Sequence, residues 1–204
     1  MDDGIRAMRS IAAEVLNESF STELAGPSRD FKESASSLNF IFLLALVFIY
    51  LVLAAQFESL KHPLVILFTV PLALIGALIA LWYFNISLNI FSKIGMIMLI
   101  GLVTKNGILI VEFFKQKTEQ GIAHHQAIQE AALSRFRPIL MTTFSTVLGT
   151  LPLVLSTGAG SAGRTAMGVA VVGGLVLGTF LTLFVIPAIL SFFLKPAELK
   201  NTAS

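Results

Sequence analysis

The sequence predicts an all-α polytopic membrane protein: a bundle of five transmembrane helices preceded by a small N-terminal α/β piece. Three observations predict it. Of the 204 residues, 55% are hydrophobic and only 13% charged, and the mean hydropathy is +0.85, outside the range of an ordinary soluble domain. Uncharged runs cover Ala35–Phe57, His62–Ser92, Pro138–Gly163 and Thr165–Leu194, each enough for the roughly 20 apolar residues that cross the hydrocarbon layer. The cations, finally, collect in alternate connections between these runs, the charge asymmetry that orients membrane helices.

Residues 1–35 differ in kind from the rest. Ile5, Met8, Ala12, Val15 and Leu16 recur at helical spacing, and "SFSTELAG" alternates Phe20, Thr22 and Leu24 as a strand does before Pro27. One helix and one strand cannot bury a core or pair their own backbone. This piece is therefore expected to be completed by other sequence, as part of a soluble domain. The first 20 residues lack the basic start and apolar centre of an export signal.

Spans are predicted at about 38–57, 64–83, 90–114, 138–156 and 166–194. Lys61, the connection with Lys115, Lys117, Arg135 and Arg137, and the tail with Lys195 and Lys200 fall on one side. By the positive-inside rule that side is the cytoplasm, which puts the N-terminus outside and the C-terminus inside. A helix from Ala123 to Ser134 is expected in the cytoplasmic connection, with Ala127, Ile128, Ala131 and Ala132 facing the bundle or membrane surface. Residues 36–195 thus form the bundle and 196–204 a cytoplasmic tail.

Membrane helices associate through close backbone approach. Ala73, Gly76, Ala77 and Ala80 line one face of the second span, and Gly174 with Gly178 forms a GxxxG in the fifth. Pro71, Pro152 and Pro187 interrupt helices in a manner tolerated inside a bundle.

The third span carries an anomaly. Lys105 follows eleven uncharged residues after Lys93 and precedes six more before Glu112. An ionisable residue at that depth costs about 2.5–3.5 kcal/mol on insertion scales and marks function by default. Snorkelling is the competing reading. It is weakened because the interface near Phe113 is about 12 Å away at ~1.5 Å per residue, and the side chain tilts the other way. Glu112 is expected to pair with Lys115 at i+3. No acid lies at the depth of Lys105, so its counter-charge comes from another helix or the lysine is neutral.

Thr142, Thr146 and Thr150 repeat at i, i+4 and i+8 in the fourth span, beside Thr143 and Ser145. Antiparallel threading places Thr142–Thr146 near the depth of Lys105, where the hydroxyls pass protons or hold water. Alternatively each bonds its own i−4 carbonyl. Asn106 either bridges helices or caps a packing contact. Arg135 and Arg137 read as interfacial anchors, with a role at a proton exit as the sharper alternative.

Other motifs exclude chemistry. "GAGSAG" matches GxGxxG but follows a span rather than a strand, and no acid appears until Glu198. His124 and His125 are adjacent on a helix and point to different faces, which argues against a metal. HExxH, GxSxG and GxxxxGK[ST] are absent, as is cysteine. No cofactor, nucleic acid or enzymatic activity is expected.

"YLVLAAQFESLKHPLVILFTVPLALIGA", "GLVTKNGILIVEF", "RFRPILMTT" and "LPLVLSTGAGS" occur in order. Together they resemble the C-terminal transmembrane repeat of resistance-nodulation-division efflux transporters of the hydrophobe/amphiphile group, over nearly the whole chain. The resemblance implies that residues 1–35 are a remnant of a periplasmic porter subdomain and that the five spans are the eighth to twelfth of twelve. It implies a proton relay containing Lys105, Thr142, Asn106 and Arg135, with the lysine paired to two aspartates on a span of the N-terminal half. That half is outside these 204 residues.

The expected function is thus the C-terminal membrane half of a proton-driven exporter of small amphiphilic drugs in the bacterial inner membrane. The resemblance implies a homotrimer with a periplasmic adaptor and an outer-membrane channel. A non-transporting scaffold subunit and a metal exporter of the same superfamily are the alternatives.

Overall fold

In the computed structural model, the described residues are 2–16, 20 and 27–193. Among them run seven α-helices and no strand: α1 Asp2–Val15, α2 Pro27–Phe57, α3 Lys61–Leu67, α4 Thr69–Tyr83, α5 Ile90–Glu119, α6 His124–Val154 and α7 Ser161–Phe193. The strand expected over Ser19–Gly26 lies outside the described residues apart from Phe20, and the tail 196–204 lies outside them altogether. Met1–Ile41 and Phe42–Ser204 are two separate compact units.

The first unit holds α1 and the start of α2. The helical spacing of apolar residues in α1 is realised, with Met8, Ile11 and Val15 exposed. Pro27 occupies the first position of α2, where its missing N–H removes no helical bond.

Among the described residues, four helical segments are long and apolar enough to cross a membrane: Leu38–Phe57, Lys61–Tyr83, Ile90–Glu119 and Ser161–Phe192. The second is α3 and α4 together. Pro71 has no N–H for the carbonyl of Leu67, so the helix breaks at Phe68. The Thr69 hydroxyl donates to the Ile66 carbonyl at 2.7 Å and closes the broken turn.

The residues expected as the fourth span, 138–156, fall at the C-terminal end of α6, which ends at Val154 and is not among these four segments. The separate helix expected over Ala123–Ser134 does not exist as such: one helix runs from His124 through Pro138 to Val154. Pro138 deletes a single bond, to the carbonyl of Ser134, and both residues are exposed. Meanwhile Ala127, Ile128, Ala131, Ile139 and Thr143 are buried on both sides of the proline, which holds the two parts in one line.

α7 is the central element, packed against α4, α5 and α6. The small residues foreseen for this role meet one another. A Cβ at Gly76 would lie 2.8 Å from the Cβ of Leu177 and 3.0 Å from the Gly173 carbonyl oxygen, and one at Gly178 would lie 2.8 Å from the Cβ of Ala73. At Gly173 a Cβ would collide with Ala80, and at Gly174 with Leu99. The α4 and α7 backbones are therefore as close as side-chain-free surfaces permit.

Two apolar clusters result. Ala73, Ala77, Leu99, Val103, Ala170 and Leu175 belong to one, between α4, α5 and α7. Ile66, Ile110, Phe114, Ala131, Ile139 and Ile186 belong to the other, which also takes in Leu53 and Phe57 from the end of α2. α5 starts on a reciprocal cap: Asn89 Oδ1 accepts from the Ser92 N–H at 2.9 Å, and Ser92 Oγ accepts from the Asn89 N–H at 2.9 Å. It ends before Gly121, whose φ of 81° turns the chain into α6.

Overpacking a tight core typically costs about 1–3 kcal/mol. Gly173→Leu and Gly174→Val should each lower the melting temperature of the chain in lipid nanodiscs. Gly101→Ala and Gly149→Ala, at positions where an added Cβ meets nothing within 4 Å, should leave it unchanged in the same melts.

Candidate functional site

The 30-residue helix α5 carries Lys105 near its middle, about 22 Å from its start and about 21 Å from its end at ~1.5 Å per residue. The side chain is exposed, on an outward stripe with Met98 and Gly101. Among the described residues it makes no hydrogen bond or ion pair. Glu112 does not take Lys115 as its partner. Lys115 Nζ lies 3.9 Å from Glu119 Oε1 and donates to the Phe57 carbonyl at 3.4 Å, where its charge favours the α2 C-terminus.

Asn106, the next residue, is about 100° around the helix and faces inward. It is 3% exposed, and its Nδ2 donates to Thr179 Oγ1 of α7 at 3.1 Å. Thr179, 1% exposed, lies 3.2 Å from Thr143 Oγ1 of α6. A hydrogen-bonded trio thus crosses three helices inside apolar packing, which answers the alternatives for Asn106 in favour of a bridge. Such buried polar groups persist only when satisfied. One turn beyond, the Thr182 hydroxyl is fully buried and has no partner.

Thr142, the relay threonine of the sequence reading, is exposed. Its hydroxyl donates to the Ile139 carbonyl at 3.0 Å. Thr146 donates to the Thr142 carbonyl at 2.8 Å and Thr150 to the Thr146 carbonyl at 2.9 Å. The stripe is thus bonded along its own helix, which occupies the hydroxyl protons and leaves oxygen lone pairs free to accept. Asn106 and Thr143 share Thr179, so their preceding neighbours, Lys105 and Thr142, lie at similar depth.

Arg135 is elsewhere. Its guanidinium carbon sits 4.9 Å from the centre of the Phe113 ring, which Lys117 Nζ approaches at 5.4 Å. Lys117 also pairs with Glu130 at 3.1 Å. Phe113 is eight residues beyond Lys105 on α5, about 12 Å along the axis. The structure therefore does not bring Arg135 to Lys105. It also turns Asn106 away from the lysine's face.

Thr179 and Thr182 were missed from sequence. Two threonines three residues apart in the apolar stretch "LGTFLTLF" are the only signal they give. The "GAGSAG" segment runs from the turn after α6 into the first turn of α7, which starts at Ser161. Gly158 and Gly160 have φ of 88° and 74°, and Arg164 Nη2 donates to the carbonyls of Thr157 at 3.4 Å and Ala159 at 3.2 Å.

Known proteins with similar sequences give the context. The chain is 43% identical over 182 residues to the multidrug resistance protein MdtC of Erwinia amylovora, a match covering 89% of this chain and 18% of that protein. It is 41% identical over 197 residues to an uncharacterized transporter of Haemophilus influenzae, covering 93% of this chain and 19% of that one. The chain thus spans about a fifth of the length of these curated relatives. The model of the AcrB/AcrD/AcrF family matches residues 3–194. With that match running from the first helix through the last, the chain belongs to the AcrB/AcrD/AcrF family of efflux transporters.

Proposed function

We propose that the chain is the C-terminal membrane half of a proton-driven multidrug exporter and supplies the lysine side of its proton relay. The observation that carries this reading is the cation of Lys105, half-way along a membrane-length helix, directed away from the bundle and unpartnered among the described residues. Its surroundings favour a partner helix over lipid. Gly101 lies one turn before it on α5, and Gly149 lies seven residues after Thr142 on α6. Both are exposed with open space where a Cβ would stand, as close helix approach requires.

The relay acts through charge. A carboxylate about 4 Å from the ammonium gains about 4 kcal/mol at an effective dielectric near 20. That is comparable to the ~2.5–3.5 kcal/mol cost of holding a lysine at mid-membrane. A proton arriving on the carboxylate cancels the attraction and leaves the ammonium uncompensated, so the helix carrying it shifts. Thr142 accepts a hydrogen bond beside this pair through its free lone pairs, and Arg135 attracts anions at the cytoplasmic end.

In this reading α2, α3–α4, α5, the apolar part of α6 and α7 are five spans. Residues 1–35 belong to a periplasmic porter subdomain, 36–195 to the bundle and 196–204 to a cytoplasmic tail. The N-terminus is periplasmic and the C-terminus cytoplasmic. Lys61, Lys115, Lys117 and Arg137 at one end and the exposed Trp82 and Tyr83 at the other support that orientation. The polypeptide with the relay carboxylates packs on the outward faces of α5 and α6. A trimer with a periplasmic adaptor and an outer-membrane channel completes the exporter of amphiphilic drugs.

Three outcomes test this. With the other membrane half present, Lys105→Ala should abolish proton-driven efflux from proteoliposomes while assembly stays intact, and retained efflux refutes the relay role. In the chain alone in nanodiscs, Lys105→Met should raise the melting temperature, because a charge without a partner is removed; marked destabilisation contradicts this. Gly101→Leu should leave the chain folded yet weaken association with the other half about tenfold or more, roughly 1.4 kcal/mol, in a copurification titration.

A further inference from the structure

Lys105 and Thr142 share a feature that their own chemistry does not supply. Each is followed in the chain by a residue that points into the bundle, Asn106 and Thr143, and these two inward residues meet on one hydroxyl, that of Thr179. Successive residues on a helix are separated by about 100°. Fixing Asn106 inward therefore fixes Lys105 outward, and fixing Thr143 inward does the same for Thr142.

We propose that Asn106, Thr143 and Thr179 form a polar pin that sets the rotation and depth of Lys105 and Thr142 together. They are positioning residues for the relay, and the proposal rests on the relay reading above.

The pin supplies what the apolar contacts do not. α7 meets its neighbours largely through glycine and aliphatic surface, as at Gly174 against Leu99 and Gly178 against Val103. Such surfaces remain in contact when one helix turns or slides by a fraction of a turn. A hydrogen bond does not, since it weakens steeply with distance and angle. Interhelical hydrogen bonds in membranes add little stability, and a single polar residue in apolar helix packing is best attested as a selector of register. The trio therefore selects one arrangement among several of similar packing energy. Because Thr179 is shared, a movement of α7 that withdraws its hydroxyl releases α5 and α6 together.

The chain contains no cysteine, so Lys105→Cys or Thr142→Cys gives a single site for a nitroxide label. The chain is placed in lipid nanodiscs, and collision with oxygen is compared with collision with a water-soluble nickel chelate. Thr179→Val, which keeps shape and removes the hydroxyl, should change this contrast at both 105 and 142, and Thr179→Ser should restore it. Thr143→Val should change it at 142 and leave 105 as it was. Thr182→Val, which removes a hydroxyl without a partner, should change neither. Labels unmoved by Thr179→Val, or a label at 105 moving equally in Thr143→Val, overturn the pin. If Thr179→Val does not fold, Thr143→Val alone decides by the same rule. No transport is measured in these arms, so their failure is distinct from that of the relay, which Lys105→Ala reads. In the assembled exporter Thr179→Val should lower efflux and Thr179→Ser recover it, and undiminished efflux in Thr179→Val overturns the positioning role.

Discussion

Backbone contact along α7 is the constraint from which the rest of the bundle follows. No water is expelled when helices meet in lipid, so they hold together only where packing is close. The glycines of α7 allow α4 to approach until added methyl groups would collide. That approach brings α5 and α6 onto the remaining faces of the same helix. A consequence is the separation of polar groups by charge state: neutral Asn106, Thr143 and Thr179 lie inside and satisfy one another, whereas the ionisable Lys105 lies outside. The interior can satisfy an amide and hydroxyls within a few ångströms of space. Among the described residues it has no buried carboxylate to offer an ammonium.

The α3–α4 break and the long α6 show the same principle at the backbone. Pro71 and Pro138 each remove one helical donor, yet only the first interrupts its helix. At Pro71 a side chain, Thr69, stands ready to take part in a shorter turn. At Pro138 buried residues on either side fix the axis, and the freed carbonyl of Ser134 is on the exposed side. Proline thus ends a helix where local bonding offers an alternative and merely marks it where tertiary packing continues.

Much of this was legible in the sequence. Length and hydropathy suffice for the long apolar helices, and small residues at helical spacing for the α4–α7 seam. The isolation of Lys105 follows from counting charges. What was not legible is azimuth. Thr142 and Thr143 are adjacent and chemically alike. The polar stripe of Thr142, Thr146 and Thr150 reads equally as a face turned to protein or as one bonded to its own helix, so periodicity does not say which of the two turns inward. A membrane helix lacks the polar face that settles this question in water. The choice is made by Thr179, on a helix 36 residues away, and Thr179 is inconspicuous because threonine is common in spans. The Lys115 pairing failed for a related reason, since the end of α2 offers a carbonyl that no local rule anticipates.

In the proposed relay the inward and outward sets differ in what a proton does to them. Amides and hydroxyls keep their hydrogen bonds over the whole physiological range, so the pin holds the same geometry whatever the proton supply. An ammonium facing a carboxylate is instead sensitive to one proton, by an energy similar to the lysine's own cost of residence in lipid. A device that converts proton arrival into helix movement needs both kinds of contact. It needs one that does not respond, to define the starting geometry, and one that does, to destabilise it. Placing them on consecutive residues of α5 couples them through the stiffest element available, a single peptide unit of helix. In the proposed relay, a turn of α5 at the lysine therefore also strains the bond of its neighbour Asn106 to Thr179.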